Sequence, residues 1–133
     1  MKSIEMESPL LQNSSLIRHI LDQLLEACDL VMFWNKDVSN SNEYPVSPQG
    51  VQIMAASCML IESIGEGIKK IDRLAPGFLE TESPDTPWRE IKGLRDHVAH
   101  GYFDLDADII FNVVKEEIPL LRVTIKMIID NFC

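Results

Sequence analysis

Val51, Met54, Cys58, Ile61, Ile64, Ile68 and Ile71 follow one another at steps of three and four residues. Only an α-helix repeats with that period, so the run commits the middle of the chain to a long helix with one buried face. The same spacing recurs in Leu16, Ile17, Ile20, Leu21, Leu24, Cys28 and Val31, and again in Trp88, Ile91, Leu94 and Val98. A fourth set is Ile109, Ile110, Val113 and Val114. Strand-like alternation is absent. Several amphipathic helices of similar length bury their stripes against one another, and the expected architecture is all-α: an antiparallel four-helix bundle with a fifth short helix or a kinked last helix.

Local signals set the expected boundaries. The first helix is predicted from about Ser14 to Asn35, with Arg18, Asp22 and Glu26 as its polar stripe. The segment Lys36 to Val46 is polar and reads as a mobile loop. Ser47-Pro48 pairs an N-cap serine with proline at the first helical position and opens the second helix, which runs to about Arg73. Gly65 and Gly67 lie inside it. They cost helix propensity and suit the close approach of a neighbouring helix. Ala75-Pro76-Gly77 ends it, and Phe78 to Asp85 reads as a second loop. Thr86-Pro87 repeats the cap-then-proline signal and opens a third helix ending near Gly101. Asp106 caps a fourth helix from Ala107. Pro119 lacks the N–H a helix interior needs, so a short break is expected near Ile118, before a final helix through about Phe132.

The chain has 133 residues, the size of a single domain spanning 1–133. No apolar run approaches the ~20 residues of a membrane span. The start, Met1 to Leu10, has no basic stretch followed by an apolar core. A cytoplasmic protein without membrane attachment is expected. Cys28, Cys58 and Cys133 are odd in number and form no CxxC pair, which argues against a disulfide framework or a zinc-cysteine site. The formal net charge of −9 disfavours nonspecific attraction to a nucleic-acid backbone, so any RNA-directed site must be a local one.

The chemistry-bearing residues concentrate in Arg95-Asp96-His97-Val98-Ala99-His100-Gly101-Tyr102. Arg95 falls within or beside the apolar stripe of the third helix, where a permanent charge needs a partner, a ligand or a subunit cleft. Asp96 and His100 are four apart and share a face. A structural account is available for each: histidines in a last helical turn complement the dipole, Arg95 pairs with Glu62 or Glu66, and Tyr102 is a core-edge aromatic. A functional account treats them as a unit. Arg95 supplies fixed charge for a phosphate, His100 moves protons near neutral pH, and Asp96 orients the imidazole. Arg95 and His100 diverge by about 140° on a regular helix, so unwinding at Gly101, or two copies meeting across an axis, is needed to aim both at one atom. A metal bound by His97 and His100 is the rival, with Asp104 or Asp106 nearby; only distant His19 offers another nitrogen. No cofactor motif is present, and no metal site is expected.

Arginine, four residues, histidine, one residue, tyrosine at the end of the third helix resembles the HEPN superfamily. Within it, the chain resembles the HepT-like toxins paired with minimal nucleotidyltransferase antitoxins. Ile64-Gly65-Glu66, Pro87-Trp88 with Ile91, and Leu120 after the proline of the last segment carry the likeness further, from about Ser47 to Leu121. The resemblance implies a homodimer whose two motif copies line one cleft. It implies a metal-independent endoribonuclease with Arg95 and His100 as catalytic groups and RNA as substrate. Tyr102 matches the tyrosine to which the partner nucleotidyltransferase adds AMP to silence the toxin. The family often has asparagine after the arginine; here the residue is Asp96. The alternative is a non-catalytic helical partner of a nucleotidyltransferase that presents Tyr102 from the same surface.

Overall fold

The computed structural model describes residues 9–98 and 104–132. His100 and Tyr102, two of the residues singled out above, lie outside them, as do Gly101 and Cys133. The described residues form helices: α1 (Pro9–Gln12), α2 (Ser14–Trp34), a 3-10 turn (Ser41–Glu43), α3 (Pro48–Leu74), α4 (Phe78–Glu82), α5 (Trp88–Lys92), α6 (Leu94–Val98) and α7 (Ala107–Asn112). A π-helical stretch (Val113–Glu117) and α8 (Ile118–Asn131) complete them. The chain is all-α, as its periodicity requires.

Cross-contacts give the directions of the arms. Asn35 of the α2 end bonds Ser57 of α3, while Leu24 faces Gly67, so α2 and α3 run antiparallel. Asp29 pairs with Arg122 and the Asn35 carbonyl accepts from Lys115, so α2 and the last arm are antiparallel too. Lys92 reaches back to Asp72 and Arg95 to Glu62, which sets α5 and α6 antiparallel to α3. Ile17, Leu21, Ile61, Ile64, Ile68, Ile71, Ile110, Ile118, Ile125 and Ile128 fill the space between the arms with no side-chain exposure above the trace level. Each such side chain withdrawn from water contributes about 1.5–3 kcal/mol before the entropy of ordering is counted.

Two of the expected caps form. The Ser47 hydroxyl accepts from the Gly50 N–H at 3.0 Å, and the Asp106 carboxylate accepts from the Ile109 N–H at 3.1 Å. Gly77 has φ +83°, a left-handed conformation that costs glycine little, and it turns the chain out of α3. Four expectations are corrected. Phe78 to Asp85 is not all loop: buried Phe78 and Leu79 start the short helix α4. The third helix is divided at Gly93, and its start is Pro87 itself, because the Thr86 hydroxyl bonds Ser83 instead of capping. The last segment does not open into a loop near Ile118. It passes through a π-helical stretch, with Pro119 in the first turn of α8, where its missing N–H is harmless. Finally, α3 is by length and composition a helix that could cross a membrane, despite the polar residues that interrupt its apolar run. Within this fold its isoleucine face is the centre of the bundle, and it carries Glu62, Glu66, Lys69 and Asp72 on the other faces.

The segment from Lys36 to Val46 is also not loose. Val38 and Tyr44 are buried. The Tyr44 hydroxyl donates to the Asn35 side-chain oxygen at 2.7 Å, and the Asn35 amide donates to Ser57 Oγ and to the Val31 carbonyl, each at 2.8 Å. Burial pushes the Tyr44 phenol up to about 12, so it remains a neutral donor. Lys115 from the π-helical stretch closes the cluster on the Asn35 carbonyl, and Ser41 bonds Asp108 of α7. Tyr44→Phe would strand the buried Asn35 oxygen. The expected cost is about 1–3 kcal/mol in urea denaturation, and an unchanged midpoint would show that the cluster carries no stability.

Candidate functional site

Helix α6 is one and a half turns long, and its register decides the site. Leu94 and Val98 point into the core, and Arg95, Asp96 and His97 are exposed between them. The sequence left Arg95 within or beside the apolar stripe; it stands beside it. Its side chain is 61% exposed, and its Nε lies 3.4 Å from Oε1 of Glu62, itself 41% exposed. Arg95 therefore needs no subunit cleft to relieve a cost of burial: the helix turn after Gly93 carries it past the edge of the core. Of the two partners considered, Glu62 takes the role, while Glu66 pairs with Lys69 of its own helix. An ion pair this exposed contributes less than about 1 kcal/mol to folding.

The third arm is set against α3 by a backbone contact. A Cβ built on Gly65 would lie 3.3 Å from the Ile91 carbonyl oxygen and 3.5 Å from that of Lys92. Real side chains rarely come so close, so the two backbones meet at a position that suits glycine. On either side of that contact lie the ion pairs Glu62–Arg95 and Asp72–Lys92, the second at 3.1 Å and more deeply placed. Beneath Arg95, one turn before Glu62, sits Cys58. Burial raises its thiol pKa foremost, Glu62 adds to the rise and Arg95 opposes it, so the sulfur stays a neutral thiol between a cation and an anion. Sequence reasoning treated Cys58 only as core; its place one helical turn from Glu62 is the signal that would have linked it to the site.

Residues 99–103, which include His100 and Tyr102, lie in the sequence between Val98 of α6 and Asp104. Their flanks are joined by a hydrogen bond from the Asp106 N–H to the Val98 carbonyl at 3.1 Å. Asp106 is engaged as the cap of α7 through one carboxylate oxygen. Among the described residues no three His, Cys, Asp or Glu side chains are grouped to hold a metal ion. The described part of the site thus offers one half-paired guanidinium with Asp96 and His97 beside it, on a chain of net charge −9. Such a group binds an oxyanion end-on and stabilises negative charge that develops on it.

An all-α bundle with this arginine on the outer turn of its third arm is a HEPN-type domain. The chain belongs to the ribonuclease HepT-like family, whose pattern matches residues 46–128. It is 28% identical over 112 residues to "Putative RNase MJ1380" of Methanocaldococcus jannaschii, covering 84% of this chain and 95% of that protein. It is 30% identical over 114 residues to "Putative RNase TTE0752" of Caldanaerobacter subterraneus subsp. tengcongensis, covering 86% and 95% of the two. Over 62 residues it is 39% identical to "Probable ribonuclease HepT" of Thermococcus cleftensis, 47% of this chain and 53% of the other. No solved structure matches the chain significantly.

Proposed function

We propose that this protein is a metal-independent endoribonuclease that acts as the toxin of a toxin–antitoxin pair. The observation that carries the reading is Arg95, exposed and, among the described residues, paired with Glu62 alone, on a chain of net charge −9 that belongs to a ribonuclease family. The ribose 2′-oxygen attacks the adjacent phosphorus and the bond to the 5′-oxygen breaks, leaving a 2′,3′-cyclic phosphate and a 5′-hydroxyl. Arg95 stabilises the charge on the phosphorane, and His100 transfers protons. Asp96 orients the His100 imidazole and favours its charged form.

In this reading the active form is a homodimer with the two motif copies in one cleft. Burial of Arg95 no longer argues for it. Exposed Met59, one turn before Glu62 on α3, supplies apolar surface near the arginine for a second copy to cover. The cognate minimal nucleotidyltransferase adds AMP to Tyr102, and the added phosphate occupies Arg95 and blocks RNA by volume and charge. The second reading, a non-catalytic helical partner of such an enzyme, is favoured by a different feature. Leu120, Val123 and Met127 form an exposed apolar stripe on α8, a surface suited to a partner protein.

Arg95→Ala and His100→Ala should each lower RNA cleavage by roughly 100-fold or more in the presence of EDTA, with the melting temperature of Arg95→Ala nearly unchanged. Cleavage that requires an added divalent ion contradicts the mechanism, and wild-type protein with no cleavage to lose favours the second reading. Light scattering should give twice the chain mass at tens of micromolar. Co-expressed with the nucleotidyltransferase, the wild type should gain the mass of AMP and Tyr102→Phe should not; equal gain by both rules out Tyr102 as acceptor.

A further inference from the structure

We infer that Glu62 is a positioning residue that holds the Arg95 guanidinium side-on and presents its outer edge to the substrate phosphate. The inference rests on the proposed role of Arg95 and adds the group that aims it. The carboxylate meets the inner nitrogen, Nε, at 3.4 Å. A guanidinium has two edges that match an oxyanion, one through Nε and one through the two terminal amino groups. With Glu62 on the first, the second remains for phosphate.

The geometry is suited to aiming because Glu62 stands on a rigid base. It lies three residues before Gly65, where the α3 backbone touches the Ile91 and Lys92 carbonyls, and Lys92 is tied to Asp72 further along. Cys58 below stays neutral, so Glu62 is the anion that faces Arg95 from α3. A long, exposed arginine otherwise samples many rotamers, and restraining it before substrate arrives makes more encounters productive. Both side chains are too exposed for the pair to serve folding, which separates this role from a structural one. A carboxylate so placed could instead compete with phosphate for Arg95, and the two roles differ in kinetics.

The test uses the full chain and an RNA substrate in EDTA, with Glu62→Gln, Glu62→Asp, Arg95→Ala and the Glu62→Gln/Arg95→Ala double variant. Glu62→Gln should lower kcat by roughly 10- to 100-fold, change KM by less than about threefold and leave the melting temperature in place. Glu62→Asp should restore part of kcat. In the Arg95→Ala background Glu62→Gln should add no further loss. A lower KM at unchanged kcat would make Glu62 a competitor and overturn the proposal, as would a kcat loss that persists without Arg95. If Arg95→Ala cleaves like the wild type, the proposed role of Arg95 fails and the inference with it; if Arg95→Ala is inactive and Glu62→Gln is not, the inference alone fails. The Arg95 Nε–Hε resonance in NMR gives a readout independent of activity. It should move on Glu62→Gln, and an unmoved resonance refutes the positioning whatever the cleavage assay gives.

Discussion

Two backbones meet where residue 65 has no side chain, and much of the molecule is arranged around that contact. Burying a backbone carbonyl against a helix normally demands space for a Cβ on the facing residue. At Gly65 that space is taken by the Ile91 and Lys92 carbonyls. The approach brings Trp88, Ile91, Leu94 and Val98 into the isoleucine core of α3, and it sets the height at which the arm's polar residues emerge. Lys92 and Arg95 then find Asp72 and Glu62 on opposite sides of the contact. Neither ion pair is buried enough to hold the arm in place. They read out a position that packing has already determined.

Periodicity and capping chemistry made most of this legible in advance. The core faces of α2 and α3 match the spacing of their apolar residues except at Leu16 and Val51, which are exposed, and Ser47, Pro48, Asp106 and Gly77 act as such residues act at helix ends. What escaped was tertiary. Ser, Asn and Asp dominate the stretch after α2, so it resembled a free loop, yet one buried Tyr44 hydroxyl and the Asn35 amide anchor it. Nothing local marks that tyrosine as a core residue; its partner Asn35 is fixed in turn by Ser57, 22 residues further along the chain. The helix α4 is too short for periodicity to register, and it exists because Phe78 and Leu79 find the core. Pro119 marked an interruption correctly, but a π-helical stretch absorbs it without breaking the arm, since the preceding turn had slack to widen.

The site shows the same division. Counting along the helix placed Arg95 at the margin of an apolar stripe, and charge arithmetic named Glu62 among its partners. Whether the margin is wet or dry depends on the turn at Gly93, where α5 gives way to α6, and helix arithmetic on an unbroken helix carries no such information. The exposed outcome changes the physical argument. A buried arginine would have demanded a second subunit to justify its cost; an exposed one is free to meet a ligand without one. The family pattern over residues 46–128 points to a ribonuclease, and the exposed guanidinium is chemically suited to a phosphate.

The central claim is that the Gly65 contact sets the position of Arg95, the arginine proposed to be catalytic. Gly65→Val tests it most directly, with RNA cleavage and urea denaturation measured on the same preparation. The side chain would press on the Ile91 and Lys92 carbonyls and push the third arm outward, so a stability loss of about 1–3 kcal/mol should accompany a folded helical spectrum. Cleavage should fall by roughly 100-fold under conditions where the variant remains fully folded. A folded Gly65→Val protein that cleaves RNA like the wild type would contradict the account.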